Sequence, residues 1–149
     1  MATTFEWVAP EAIQTALSTD LNGLANGSYS AVSVAINNES DLYQFINLEL
    51  YLASLTPVAG QSVGVYLLPS VDATNYVDGG GAVAPPAETL IAVFSLSTSA
   101  GAKWRAAVNI PIPPLSFVLV IGNLTIGSGV AFAANSNTLK YRRHNGQGV

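Results

Sequence analysis

Gly60-Gln61-Ser62-Val63-Gly64 has the spacing of a serine-hydrolase nucleophile elbow. That motif works because a strand turns sharply into a helix and lifts the serine clear. Here Val63, Val65, Tyr66, Leu67 and Leu68 follow and stop at Pro69, the pattern of a strand running on. The sole histidine, His144, lies near the end among Arg142, Arg143, Asn145 and Gly146, where a buried, carboxylate-oriented base is hard to build. A second candidate, Asp72-Ala73-Thr74-Asn75-Tyr76-Val77-Asp78-Gly79, loosely has the carboxylate and amide spacing of a calcium loop. Tyr76 stands at its fifth position, glycine comes eighth instead of sixth, and the twelfth is not glutamate, so the EF-hand pattern fails. A structural turn is expected, with Asp and Asn bonding back to their own backbone and Gly79-Gly80-Gly81 supplying positive φ angles. No Lys-Ser/Thr follows that triplet, so it does not make a phosphate loop.

Glu39, Asp41 and Glu49 could converge in a cleft as the paired carboxylates of a glycoside hydrolase, and ordinary solvated positions explain them equally well. Cysteine is absent, which removes disulfides, thiolate metal sites and cysteine nucleophiles together. Trp7, Trp104 and the tyrosines could form a sugar-stacking platform, with Tyr43, Tyr51 and Tyr66 the better candidates for exposure and Trp104 assigned to the core. The expectation is a non-enzymatic protein with no catalytic residue, cofactor or metal.

The elements that would position these residues are strands. From Leu42, even positions give Leu42, Gln44, Ile46, Leu48, Leu50 and Leu52, and odd ones Tyr43, Phe45, Asn47, Glu49 and Tyr51. That alternation is a half-buried strand. Val63, Val65 and Leu67 form one face of a second, and Leu90, Ala92, Phe94 and Leu96 one of a third. In 103–112 the set Trp104, Ala106, Val108, Ile110 and Ile112 opposes Lys103, Arg105, Ala107 and Asn109, which predicts the former inside. Segments 30–36, 116–121 and 137–142 complete the main set, with 4–8 and 129–133 weaker. Turn residues fall between these runs, which favours an all-β, jelly-roll-like antiparallel sandwich over an α/β fold. Pro10 to Asn22, with Ile13, Leu17 and Leu21 four apart, reads as a short helix or an irregular arm. The predicted organisation is an N-terminal arm, 1–20, and a β-sandwich domain, 21–149.

Half of the residues are hydrophobic and only 9% charged, against roughly 25% charged in an average domain, so a packed core is expected and disorder is excluded. The net charge of -4 argues against nucleic-acid binding, which needs clustered cations. All nine acids lie between Glu6 and Glu88 and all five bases between Lys103 and Arg143. This segregation fits either intermixing on one folded surface or head-to-tail complementarity between copies. The first residues lack a basic, apolar leader, which predicts use without Sec export. The apolar zone 106–121 is broken by Asn109, Pro111, Pro113, Pro114 and Ser116, so no membrane span is expected. The triplets at Asn26, Asn38 and Asn123 match the glycosylation pattern and are read as incidental. Scarcity of charge suits a subunit whose surface is buried in a permanent assembly.

Three stretches resemble a group of small structural proteins of tailed-bacteriophage heads. They are Leu21-Asn22-Gly23-Leu24-Ala25-Asn26-Gly27-Ser28, then Tyr66-Leu67-Leu68-Pro69-Ser70-Val71 running into Asp72 through Gly79, and Pro113 to Leu119 joined to Ala131 through Arg142. Ala73 stands where that group commonly has glycine, and Ser116 where it commonly has a basic residue. The resemblance implies a jelly-roll cement or decoration protein on the capsid surface of the virion, made in the host cytoplasm. It also implies partners: the major capsid protein and copies of itself, expected as a homotrimer. Phe5 and Trp7 are then expected to be apolar anchors in the arm, and Lys140, Arg142 and Arg143 a polar rim on the terminal strand. A tail or head-fibre component and a carbohydrate-binding sandwich are the alternatives.

Overall fold

The computed structural model describes residues 5–7, 9–125 and 128–148, the side chains of 5–7, 147 and 148 excepted. Its strands are β1 (Phe5–Trp7), β2 (Gln14–Leu17), β3 (Phe45–Leu55), β4 (Ser62–Ser70), β5 (Leu90–Ser95), β6 (Gly101–Pro111), β7 (Ser116–Leu124), β8 (Thr138–His144) and β9 (Gly146–Gly148). Two 3-10 turns, Thr19–Leu21 and Ala87–Thr89, are the only helical elements among the described residues. One sheet has the order β2-β8-β3-β6, the other β5-β4-β7, and β1 pairs with β9 as a separate ribbon. All pairings are antiparallel.

Residues 28–36 lie along β7 and complete the second sheet. Ser30, Ser33 and Ile36 donate their N–H groups to the carbonyls of Ile121, Leu119 and Phe117. The return bonds from the N–H groups of Ile121 and Leu119 go to the Ser30 and Ser33 hydroxyls. Serine oxygens thus replace two backbone acceptors, which lets three residues span the rise of two and breaks the alternation of a regular strand. With this segment counted, β2 pairs with β8, 28–36 with β7, β3 with β6, and β4 with β5. Eight runs nested in this way are one long hairpin folded over, which is the jelly-roll sandwich.

The core follows the alternation in β3 and β4. Ile46, Leu48, Leu50 and Leu52 meet Val63, Val65, Leu67, Phe117, Leu119 and Ile121 between the sheets, each 6% exposed or less. At about 25 cal/mol per Å2 of apolar surface, this burial is the main stabilising term. Buried amides tie several loops together. Gln61 Nε2 donates to Asn123 Oδ1 and the Val130 carbonyl, and Asn123 Nδ2 to the carbonyls of Leu24 and Val130. Asn38 and Asn123 are fully buried, which leaves no room for a glycan on either side chain in the folded chain.

Two sequence expectations are corrected. Pro10 to Asn22 contains no α-helix: Gln14 and Thr15 pair with Tyr141 and Lys140, and Leu17 with Leu139 beyond a bulge. The open side of β8 takes this segment as a strand, and tertiary pairing overrides the four-residue spacing. Gln14–Leu17 of the segment expected to be an arm is therefore woven into the sheet. In β6 the faces are reversed, with Lys103 buried and Trp104 and Val108 exposed. The register shifts beside Asn109, whose φ is +56°, and the bulge switches faces so that Ile112 turns inward. Strand β8 lies between β2 and β3 in the four-stranded sheet.

Candidate functional site

The two outer faces of the sandwich are finished differently. On the three-stranded side, Tyr66, Leu68, Val118 and Val120 point away from the main core and are covered by the chain itself. Tyr29 meets the Tyr66 ring edge-on at 5.8 Å, and Tyr76 reaches the Ser116 hydroxyl. Gly80 lies so close to the Ser30 carbonyl and the Val120 side chain that a Cβ would crowd both, and its φ of +93° suits glycine. The 71–85 loop is thus a lid fixed on that sheet.

Asp72 shapes the lid. Its carboxylate accepts from the Ser70 hydroxyl, the Thr74 and Asn75 N–H groups and the Asn75 amide. These bonds, led by the Asn75 backbone N–H, hold the carboxyl well below the usual range. The loop with calcium-like spacing is a turn held by its own aspartate, and among the described residues no group of three or more His, Asp or Glu side chains could hold a metal.

On the four-stranded side no segment covers the sheet among the described residues. Ile13 and Val108 are each 64% exposed and Trp104 57%. Trp104 leans on Tyr51, its register partner, with ring centroids 4.4 Å apart. Beside them runs a shallow depression of about 190 Å3, floored by Asn47 and Glu49 and walled by Ala106 and Val108 on one side and Lys140 and Arg142 on the other. Strand register sets these rows: Glu49 pairs with Lys140 and with Ala106, and Asn47 with Arg142. Sequence reasoning missed Trp104, Val108 and Ile13 because apolar side chains were assigned inward by type. The alternation in β6 correctly put Trp104 on the face opposite Lys103 and Arg105, but nothing in the strand itself marked the cation-bearing face as the inner one.

Lys140 and Arg142 stand on this face, Arg142 also donating through Nε to the Glu11 carbonyl. Arg143 does not join them. It points inward at 7% exposure, with Nε and Nη2 on Glu11, Nη2 also on Asp41, and Nη1 on the Asn37 carbonyl. Its guanidinium lies over the Tyr43 ring at 4.8 Å. Burial pulls its pKa down, while hydrogen bonds and charge from Glu11, with Asp41, outweigh this and leave it raised. Arg143 is thus an internal staple, which removes it from the expected polar rim. The same contact joins acidic N-terminal positions to a C-terminal base inside one chain. The backbone of Phe5 and Trp7 lies in β1, paired with Gly148 and Gly146, and their side chains lie outside the described residues.

Ser62 lies in a strand, with its hydroxyl donating to the Leu124 carbonyl. His144 is buried beside Phe45, Nε2 on Asn109 Oδ1. Asp41 is held by Arg143, and Glu49 lies on the open face. No helix among the described residues is long and apolar enough to cross a membrane. No protein-family model matches the chain, and no curated protein matches it significantly.

Proposed function

We propose that this chain is a structural subunit of a phage virion, a decoration or cement protein on the outer surface of the head. It binds the major capsid protein and other copies of itself, in the trimeric arrangement expected of such subunits, and works by burying surface. The observation that carries this reading is the open face of the four-stranded sheet, where Trp104, Val108 and Ile13 lie in water while the opposite sheet wears a fitted lid. Contiguous exposed apolar surface marks interaction sites, and Trp and Arg are enriched where binding energy concentrates. A charged fraction of 9% leaves wide areas that can be covered at little desolvation cost. Many modest contacts repeated over a shell add up, with Phe5 and Trp7 on the β1 ribbon as further apolar anchors. The test is to add purified protein to heads that lack it. Saturable binding over the whole shell, with heads that survive higher temperature, is expected; failure to adsorb, or labelling confined to the tail, contradicts the reading.

The exposure of Trp104 over Tyr51 favours one second reading, a carbohydrate-binding face on which a sugar ring stacks and Glu49 or Asn47 bonds its hydroxyls. Glycan-array binding abolished by Trp104→Ala supports it; no binding at any glycan rejects it.

A further inference from the structure

The open face is complementary to itself. Its strands run β2, β8, β3, β6, so a two-fold axis parallel to the strands and midway between β8 and β3 lays β8 of one copy over β3 of the other, and β2 over β6. Register then decides which side chains meet. Lys140 and Glu49 are opposite each other within the sheet, so the axis brings Lys140 of each copy over Glu49 of the other, twice per pair. Arg142 and Asn47 are likewise opposite, which puts each guanidinium over an amide.

Apolar side chains at the ends of that row also match. Ile13 directly precedes Gln14, the partner of Tyr141, and Val108 directly precedes Asn109, whose N–H bonds to Asn47 Oδ1. The axis sets these two residues, each 64% exposed, over one another. In the next row Thr15, the partner of Lys140, falls over Ala106, the partner of Glu49. A foreign surface would have to supply a carboxylate facing Lys140 and a cation facing Glu49, an arrangement this face already presents to its own copy.

We propose that the outer face of the four-stranded sheet is covered by a second copy of this chain in a two-fold, face-to-face pair. The sheets pack about 10 Å apart with strand directions within the roughly 30° of one another that aligned sheets show, and the contact is isologous, so it closes without growing into a filament. It rests on the assembly reading above and names the partner for this face. A two-fold contact cannot close a trimer, so in a trimeric subunit it joins one trimer to another.

Charge exchange tests it by mass in solution, without heads. Glu49→Lys sets a lysine against Lys140 at both contacts, and Lys140→Glu sets a carboxylate against Glu49 at both. Each is expected to halve the mass of the wild-type species in sedimentation, weakening the pair roughly 10- to 100-fold. The double variant Glu49→Lys/Lys140→Glu restores every contact with signs exchanged and is expected to recover the wild-type mass. Circular dichroism on all three confirms folding; if a single variant fails to fold, Val108→Asp replaces it and is expected to halve the mass as well. Wild-type protein with an odd number of chains, single variants of unchanged mass, or a double variant that stays dissociated would overturn the pair. Head binding is scored separately: heads bound by wild type whose mass the variants leave unchanged sink the pair alone, whereas a pair that forms and never binds heads sinks the decoration reading alone.

Discussion

Arg143 and Glu11 meet in a two-pronged ion pair, Nε to Oε1 at 2.9 Å and Nη2 to Oε2 at 2.8 Å, across 132 residues of sequence. With the bond from the Glu11 N–H to the Arg143 carbonyl, it fastens the entry of the chain into the four-stranded sheet. The open face is therefore built on a clamped edge, because Ile13 lies between Glu11 and β2.

Arg143→Ala leaves the Glu11 and Asp41 carboxylates without their cation. Removing one partner of a buried pair is strongly destabilising, and with the Glu11 side chain 14% exposed a loss of about 3 kcal/mol is expected, near the lower end of that range. Urea unfolding measures it. Arg143→Lys recovers only part, since an ammonium cannot make the paired contact.

Asp72 predicts a pH signature. Its folded pKa is depressed, so its contribution to stability is present above the unfolded value of about 3.9 and is lost as pH falls through the folded value. Asp72→Asn should therefore lower the urea midpoint at pH 7, with a deficit that shrinks steadily below pH 4. An equal deficit at pH 7 and pH 2 would contradict this account of the lid.

Ala73 holds a φ of +55°, where an L side chain is strained and glycine is at ease. Ala73→Gly relieves that strain at some cost in unfolded-chain entropy, and a net gain of about 0.5 kcal/mol is expected in thermal unfolding.

Asn123→Ala removes the acceptor of Gln61 Nε2 and the donor to the Leu24 and Val130 carbonyls. Buried polar groups left unpaired cost about 1–3 kcal/mol, and a loss of about 2 kcal/mol is expected in denaturant unfolding, with faster amide exchange near Val130.

β3 and β4 were legible because their alternation is unbroken. β6 was not, because its apolar side chains face water and the bulge beside Asn109 changes the parity partway along. The helical spacing of Ile13, Leu17 and Leu21 misled for a related reason: β8 needed a neighbour, and pairing outweighed propensity. Residues 28–36 lack strand alternation because serine hydroxyls stand in for carbonyls. Among the basic residues, adjacency held the clue, since Arg142 and Arg143 in one strand must point to opposite faces. Which of the two turned inward depended on Glu11 and Asp41, far away in sequence.

A chain that covers a shell, as proposed, must be present in many copies on each particle. Its copy number per virion, measured by quantitative mass spectrometry against the major capsid protein of the same particles, tests that most directly. A copy number comparable to that of the major capsid protein is predicted, and a handful of copies per particle would contradict it.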